Sequence, residues 1–326
     1  MKKNAFELFT HKWDECHEKL LEHIQIIYEL QHQIAIEIDR AKKKNLIEEK
    51  TTKLEIAKKE TGWSLLEGNL NDEIGRLGNQ FPSYRYFPEP YYCKDFKRPI
   101  NLIFVNINPY VGGPSQDIGS SLRDADLYSN NKYSEIIPNY LKKKNPTVEK
   151  FFNKRQSWAK SLFQTNMDIN ILCADIVPWH TEKGNEIANY ISKNENLQTI
   201  KELVLEPLMS ISNIIAAFKG KSMQNKIIVR GVTFRNVINA LFPKDKPNLK
   251  KKYVKNYIVL KRNGTIEEFI SMLTVITINK SSINYKWYLF TGAPSNDLPL
   301  LEDNYKVYPI NEEGVAIKTL RSFLFE

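Results

Sequence analysis

At 326 residues, 42% apolar and 26% charged, the chain has room for one large domain or two modest ones with a real core. No run approaches the ~20 apolar residues of a membrane span, the amphipathic N-terminus lacks a signal-peptide core, and Cys16, Cys93 and Cys173 show no CxxC spacing. Membrane-spanning, secreted and cysteine-zinc classes are therefore set aside in favour of a cytoplasmic protein with reduced thiols, whose net charge of +9 and pI near 9.1 favour polyanionic partners.

Residues 5 to about 62 read as helix, with Leu20, Leu21, Ile24, Ile27, Leu30, Ile34 and Ile38 at helical spacing and no proline or glycine before Gly62. The run Lys42-Lys43-Lys44-Asn45 marks the expected break between two helices of a hairpin. Four of the five histidines (His11, His17, His23, His32) fall here, without the i, i+4 pairing that would put two metal ligands on one helix face. Only His180 remains for the rest of the chain, which argues against a serine-histidine-aspartate triad or a multi-histidine metal site there.

A proline- and aromatic-rich segment, 81–92, leads into a different texture. Strand-like runs at 102–107, 169–177, 226–230, 257–260 and 286–290 alternate with helix-like stretches at 149–164, 185–218 and 232–241. This alternation predicts an α/β domain over 79–326 with a mostly parallel sheet, preceded by a helical extension over 1–78. Lysines cluster at 42–44, 142–144, 219–226 and 244–255. Each run alone reads as a solvated loop, and together they offer phosphate neutralisation.

Ligands of such sheets bind at the carboxyl ends of strands, so the residues after each strand carry the functional reading. The first strand ends NLIFVNINPYVGG, where Asn108 projects an amide from a rigid turn and Gly112 and Gly113 admit close backbone approach. A neutral amide orients water without taking its proton. The second ends ILCADIVPWH, with Asp175 inside an apolar strand, where a carboxylate needs a partner or a site, followed by Trp179 and His180. The third ends YLFTGAPSNDLPL. Its Gly292 and Ser295 can offer backbone and hydroxyl donors to a phosphate, and Leu298 is a candidate wedge between stacked bases. Each feature also has a plain reading: an Asn-Pro turn, a strand-end cap, a connecting loop with core leucines.

Taken in order, the three turns resemble the motifs of the uracil-DNA glycosylase superfamily, over about residues 100–300. FVNINPYVGG is similar to the first motif. In the single-strand-selective monofunctional branch it reads Met-Asn-Pro-Gly, and the asparagine matching Asn108 positions the attacking water. In the classical uracil branch it reads Gln-Asp-Pro-Tyr-His, and the tyrosine matching Tyr110 screens the 5-position of the base. ADIVPW resembles the strand that reads the flipped base, with Asp175 where the family has asparagine. An ionised carboxylate only accepts hydrogen bonds, so it suits the N4 amine of a cytosine better than O4 of uracil. TGAPSNDLP resembles His-Pro-Ser-Pro, with Pro294 and Ser295 matching and Ala293 in place of the histidine that stabilises the departing base. His180 is the candidate substitute.

The resemblance implies a three-layer α/β/α fold with a central, mostly parallel sheet, and a monofunctional enzyme that flips a base out of DNA and leaves an abasic site. Asn108, Asp175 and His180 would be catalytic, and Ile107, Pro109, Tyr110, Gly112, Gly113 and Trp179 would line the base pocket. Pro294, Ser295, Asn296 and Leu298 would hold DNA. No metal, organic cofactor or obligatory protein partner is implied. A modified cytosine, hydroxymethylated or glucosylated as in some viral DNA, would make the protein a defence enzyme. Uracil repair, a catalytically inactive DNA-binding module and a DNA amino-methyltransferase are the alternatives, the last because Asn108-Pro109-Tyr110 resembles an Asn-Pro-Pro-Tyr motif.

Overall fold

Apolar residues run without a helical period where this chain forms its central strands. LIFVN at β2 (Leu102–Asn106) and ILCAD at β3 (Ile171–Asp175) are buried along nearly their whole length, as strands covered on both faces must be. The computed structural model describes residues 5–61, 90–107, 134, 146–178, 191, 194–231, 234–242, 250–263, 266–291, 298–310 and 318–326. Among them, the remaining strands are β1 (Tyr91–Cys93), β4 (Lys226–Arg230), β5 (Lys250–Asn263), β6 (Ile266–Lys280), β7 (Ile283–Thr291), β8 (Tyr305–Pro309) and β9 (Lys318–Thr319).

All nine join one sheet in the order β1-β3-β2-β4-β7-β6-β5-β8-β9. The pairs β3–β2, β2–β4 and β4–β7 are parallel, and every other pair is antiparallel. The fold is thus α/β with a mixed sheet. Its centre is parallel as the alternation predicts, but antiparallel strands extend it on both sides. Sequence reading assigns no strand to 91–93, 266–280, 305–309 or 318–319, and it sees only 257–260 of the 14-residue β5. Lysines scattered along β5 interrupt its apolar pattern, and its partners β6 and β8 supply the order instead.

The helices begin with α1 (Ala5–Ile36) and α2 (Arg40–Thr61), a hairpin as expected, but the break lies earlier. Asp39 caps α2: its Oδ1 accepts from the backbone N–H groups of Ala41 at 2.8 Å and Lys42 at 3.0 Å. The lysine run at 42–44 therefore sits in the first turn of α2, where lysine is a good helix former. Lys50 Nζ donates to Gln31 Oε1 at 2.7 Å, and His23 pairs with Glu60 at 2.9 Å, tying the two helices side by side.

Most of the buried apolar residues of α1 join the core of the sheet. Phe6, Phe9, Trp13, Cys16, Leu20 and Ile27 of α1 belong to the same buried cluster as the sheet. Phe6 and Phe9 meet the Tyr91 ring of β1 at centroid separations of 6.3 and 5.2 Å. The expected boundary at residue 78 lies outside the described residues.

The later helices are α3 (Pro146–Phe163), α4 (Asn194–Ile200), a π-helical turn (Lys201–Leu205), α5 (Glu206–Asn213), α6 (Phe234–Leu241) and α7 (Leu320–Leu324). Trp158 of α3 packs edge-on against Phe104 and Phe290, while Phe242, just after α6, packs against Trp287. Phe290 and Trp287 differ by an odd number of residues along β7, so α3 and α6 meet opposite faces of the sheet. No helix among the described residues is long and apolar enough to cross a membrane.

Candidate functional site

From β2 the chain steps to β3 on one side, then places β4 on the other side of β2. Strand order therefore reverses between β2 and β4, and the crevice at the carboxyl ends of two such strands is where an open α/β sheet binds ligands. The carboxyl end of β2 borders it. Its path is set by β3, because the parallel ladder continues past both strands: Ile176 N–H donates to the Asn106 carbonyl at 3.0 Å and Val177 N–H to the Ile107 carbonyl at 2.9 Å.

The register aligns several polar side chains. Asn106 pairs with Asp175, Phe104 with Ile228, and Arg230 with Phe290. Paired residues of parallel strands share a face, and residues two apart along a strand share it too. Asp175, Asn106, Arg230 and Phe290 consequently form one row across four adjacent strand ends, each strand ~4.8 Å from the next. Asp175 is buried, whereas Asn106 and Arg230 are half-buried.

Beneath this row the floor is aromatic. Trp158 lies 5.7 Å from Phe104 and 6.5 Å from Phe290, ring centre to ring centre, and its Nε1 donates to the Pro299 carbonyl at 2.8 Å. Arg155, one turn earlier on α3 and itself buried, holds its guanidinium 5.7 Å from the Phe104 ring centre. Arg155 and Asp175 both act on the buried Cys173 thiol. Burial pushes that thiol well above its ordinary value, the guanidinium pulls it down, and the carboxylate raises it further. A cationic and an anionic group thus reach the same buried sulfur near the carboxyl edge.

Gly231 closes the β4 end. Its φ of +135° disfavours any side chain, and a Cβ there would stand 3.1 Å from Ile107 Cδ1. Glycine is what lets the ends of β4 and β2 approach at Gly231 and Ile107.

Of the residues singled out by sequence, Ile107, Asp175 and Leu298 are described, and Ile107 and Asp175 meet at this edge. Asn108, Pro109, Tyr110, Gly112, Gly113, Trp179, His180, Pro294, Ser295 and Asn296 lie outside the described residues. Leu298 departs from its expected role. It is only 7% exposed and belongs to the core, pulled in beside Pro299 by the Trp158 hydrogen bond, while Leu300 is the exposed leucine at 53%. Sequence reading missed Arg155, Arg230 and Gly231. Arg230 had one signal, a charge ending the apolar run KIIVR, but Arg155 is one of many basic residues on a helix and carried none.

The described lysines of the later clusters lie elsewhere. Lys219 and Lys221 precede β4, and Lys250, Lys251, Lys280 and Lys286 fall by register at the edge where the parallel strands begin, opposite the polar row. Nearby, an open cavity of about 590 Å³ is lined by Gln164, Lys221, Ser222, Asp303 and Arg321. Its charged groups engage their neighbours: Lys221 donates to Gln164 at 3.1 Å, and Arg321 pairs with Asp303 at 3.4 Å. No group of three His, Cys, Asp or Glu among the described residues is placed to hold a metal ion. Comparison with protein-family models, curated proteins and solved structures found no match to this chain.

Proposed function

We propose that this protein is a monofunctional DNA glycosylase of the uracil-DNA glycosylase kind, with a three-layer α/β/α domain and a modified cytosine as its substrate. The observation that carries the reading is the common edge of three strands. β2, β3 and β7, whose following residues resemble the three glycosylase motifs, run parallel and end together around the β2/β4 crevice. Strand ends from distant parts of the sequence thereby share one edge, the kind of edge a site that grips a flipped nucleotide would need.

In this reading Asn108 holds the attacking water and Asp175 accepts from the exocyclic amine of the base. Tyr110 and Trp179 stack against the base, and Ser295 grips a flanking phosphate. Water adds to C1′ as the C1′–N bond breaks, the bonding pair leaves with the base, and the proton released by water neutralises it through solvent. Asp175 suits an amine because an ionised carboxylate has no proton to offer a carbonyl.

The test is a panel of oligonucleotides carrying uracil, cytosine, hydroxymethylcytosine or glucosylated hydroxymethylcytosine, incubated with the protein and then treated with alkali. Strand breaks at a modified cytosine are expected, and Asn108→Ala should slow them by about 10²-fold or more. Breaks only at uracil would remove the cytosine assignment. DNA that binds with no base ever released would make the protein a binding module instead, the outcome that Ala293 favours.

A further inference from the structure

We infer that Arg230 is a catalytic residue, whose guanidinium stabilises the negative charge that develops on the departing base. The inference rests on the glycosylase reading and names the cation that reading lacks, because Ala293 stands where the resembled motif has its histidine. Arg230 ends β4, the strand between those that carry the first and third motif turns. Its side chain shares the sheet face of Asp175 and Asn106, by the pairings Phe104 with Ile228 and Arg230 with Phe290.

The location suits an anion formed in the crevice. Two guanidiniums, Arg155 and Arg230, share this face with the Asp175 carboxylate. Arg155 is buried against Phe104, whereas Arg230 is half-buried at the strand end, where it can be reached. Gly231, next after Arg230, lies against Ile107, so the ends of β4 and β2 are held close together. As the C1′–N bond breaks, its electron pair spreads from the ring nitrogen onto the adjacent O2 oxygen. A planar guanidinium donates two N–H groups to such an acceptor and stays charged throughout.

The experiment compares wild type, Arg230→Gln and Arg230→Lys in single-turnover excision at saturating protein, on the base that wild type releases and on its analogue with fluorine at C5 in place of any substituent there, a better leaving group. Thermal midpoints and DNA affinities are measured alongside. Arg230→Gln should excise on the order of 10²–10³-fold more slowly, as when one charge-stabilising donor is lost, with DNA affinity within about twofold. The deficit should shrink on the 5-fluoro base, and Arg230→Lys should recover part of the rate. A folded Arg230→Gln that excises at the wild-type rate overturns the assignment and leaves the glycosylase reading standing. So does a variant with weaker, less salt-dependent DNA binding and an unchanged saturated rate, because Arg230 would then be a phosphate contact. Wild type that releases no base brings down both.

Discussion

The two edges of the central sheet differ in kind. At the amino edge lie most of the described lysine clusters, together with a brace of neutral amides. Asn101 N–H donates to the Asn170 carbonyl at 2.9 Å, and Asn170 Nδ2 donates to the carbonyls of Asp95 at 2.9 Å and Arg98 at 2.8 Å. At the carboxyl edge a carboxylate, an amide and a guanidinium stand in register over an aromatic floor, with a positive-φ glycine set against Ile107. Positive charge is abundant at the first edge and sparse but aligned at the second. A net charge of +9 therefore describes the whole molecule better than it describes the candidate site.

The sharpest way to break this contrast is to remove the floor of the carboxyl edge. Trp158→Ala deletes a ring wedged between β2 and β7 and frees the Pro299 carbonyl, so urea denaturation should register a loss of about 3–5 kcal/mol. A loss under 1 kcal/mol would mean that α3 does not hold these strands together. Next in size is Gly231→Ala, which meets both an unfavourable φ and Ile107 Cδ1 at 3.1 Å. It should lower stability by about 1–3 kcal/mol and depress base excision further than that loss of folded protein explains. Unchanged excision would uncouple the β4 turn from the site.

At the amino edge Lys226 is the residue to test. Its ammonium donates to the Leu324 carbonyl at 3.0 Å, and burial, helped by the nearby charge of Lys286, lowers its pKa from 10.5 to about 8. The unfolded chain then binds more protons than the folded one between those two values. The cost of burying the charge, full below pH 8, should fade as pH rises from about 8 to 10.5, so this group makes stability rise over that window. The rise should be about 1–2 kcal/mol, less than the whole shift implies because the ammonium keeps a carbonyl partner and some solvent. Lys226→Met should flatten it in denaturation curves taken at pH 7.5, 9 and 10.5, and an identical rise in the variant would assign it to other groups.

The smallest effect should come from Lys219→Gln, Lys250→Gln and Lys251→Gln combined. These positions face away from the carboxyl edge, so DNA affinity should change no more than about twofold and its salt dependence should hold. A salt slope lower by about 2–3 would place DNA across the amino edge and reverse the contrast.

The sequence alone determined the α/β class, the central strands at 102–107, 169–177, 226–230 and 286–290, and the helical hairpin, because each carries a local periodicity or a bounded apolar run. It also singled out Asp175, the one charge in an otherwise apolar run. Tertiary structure decided which edge those strands share, where the lysines end up, and how the hairpin shares the sheet's core. It drew Leu298 inward through a hydrogen bond from a tryptophan 141 positions away in sequence. Above all it set Arg230 beside Asn106 and gave Gly231 its task, since strand register is a relation between distant segments and leaves no mark in either one.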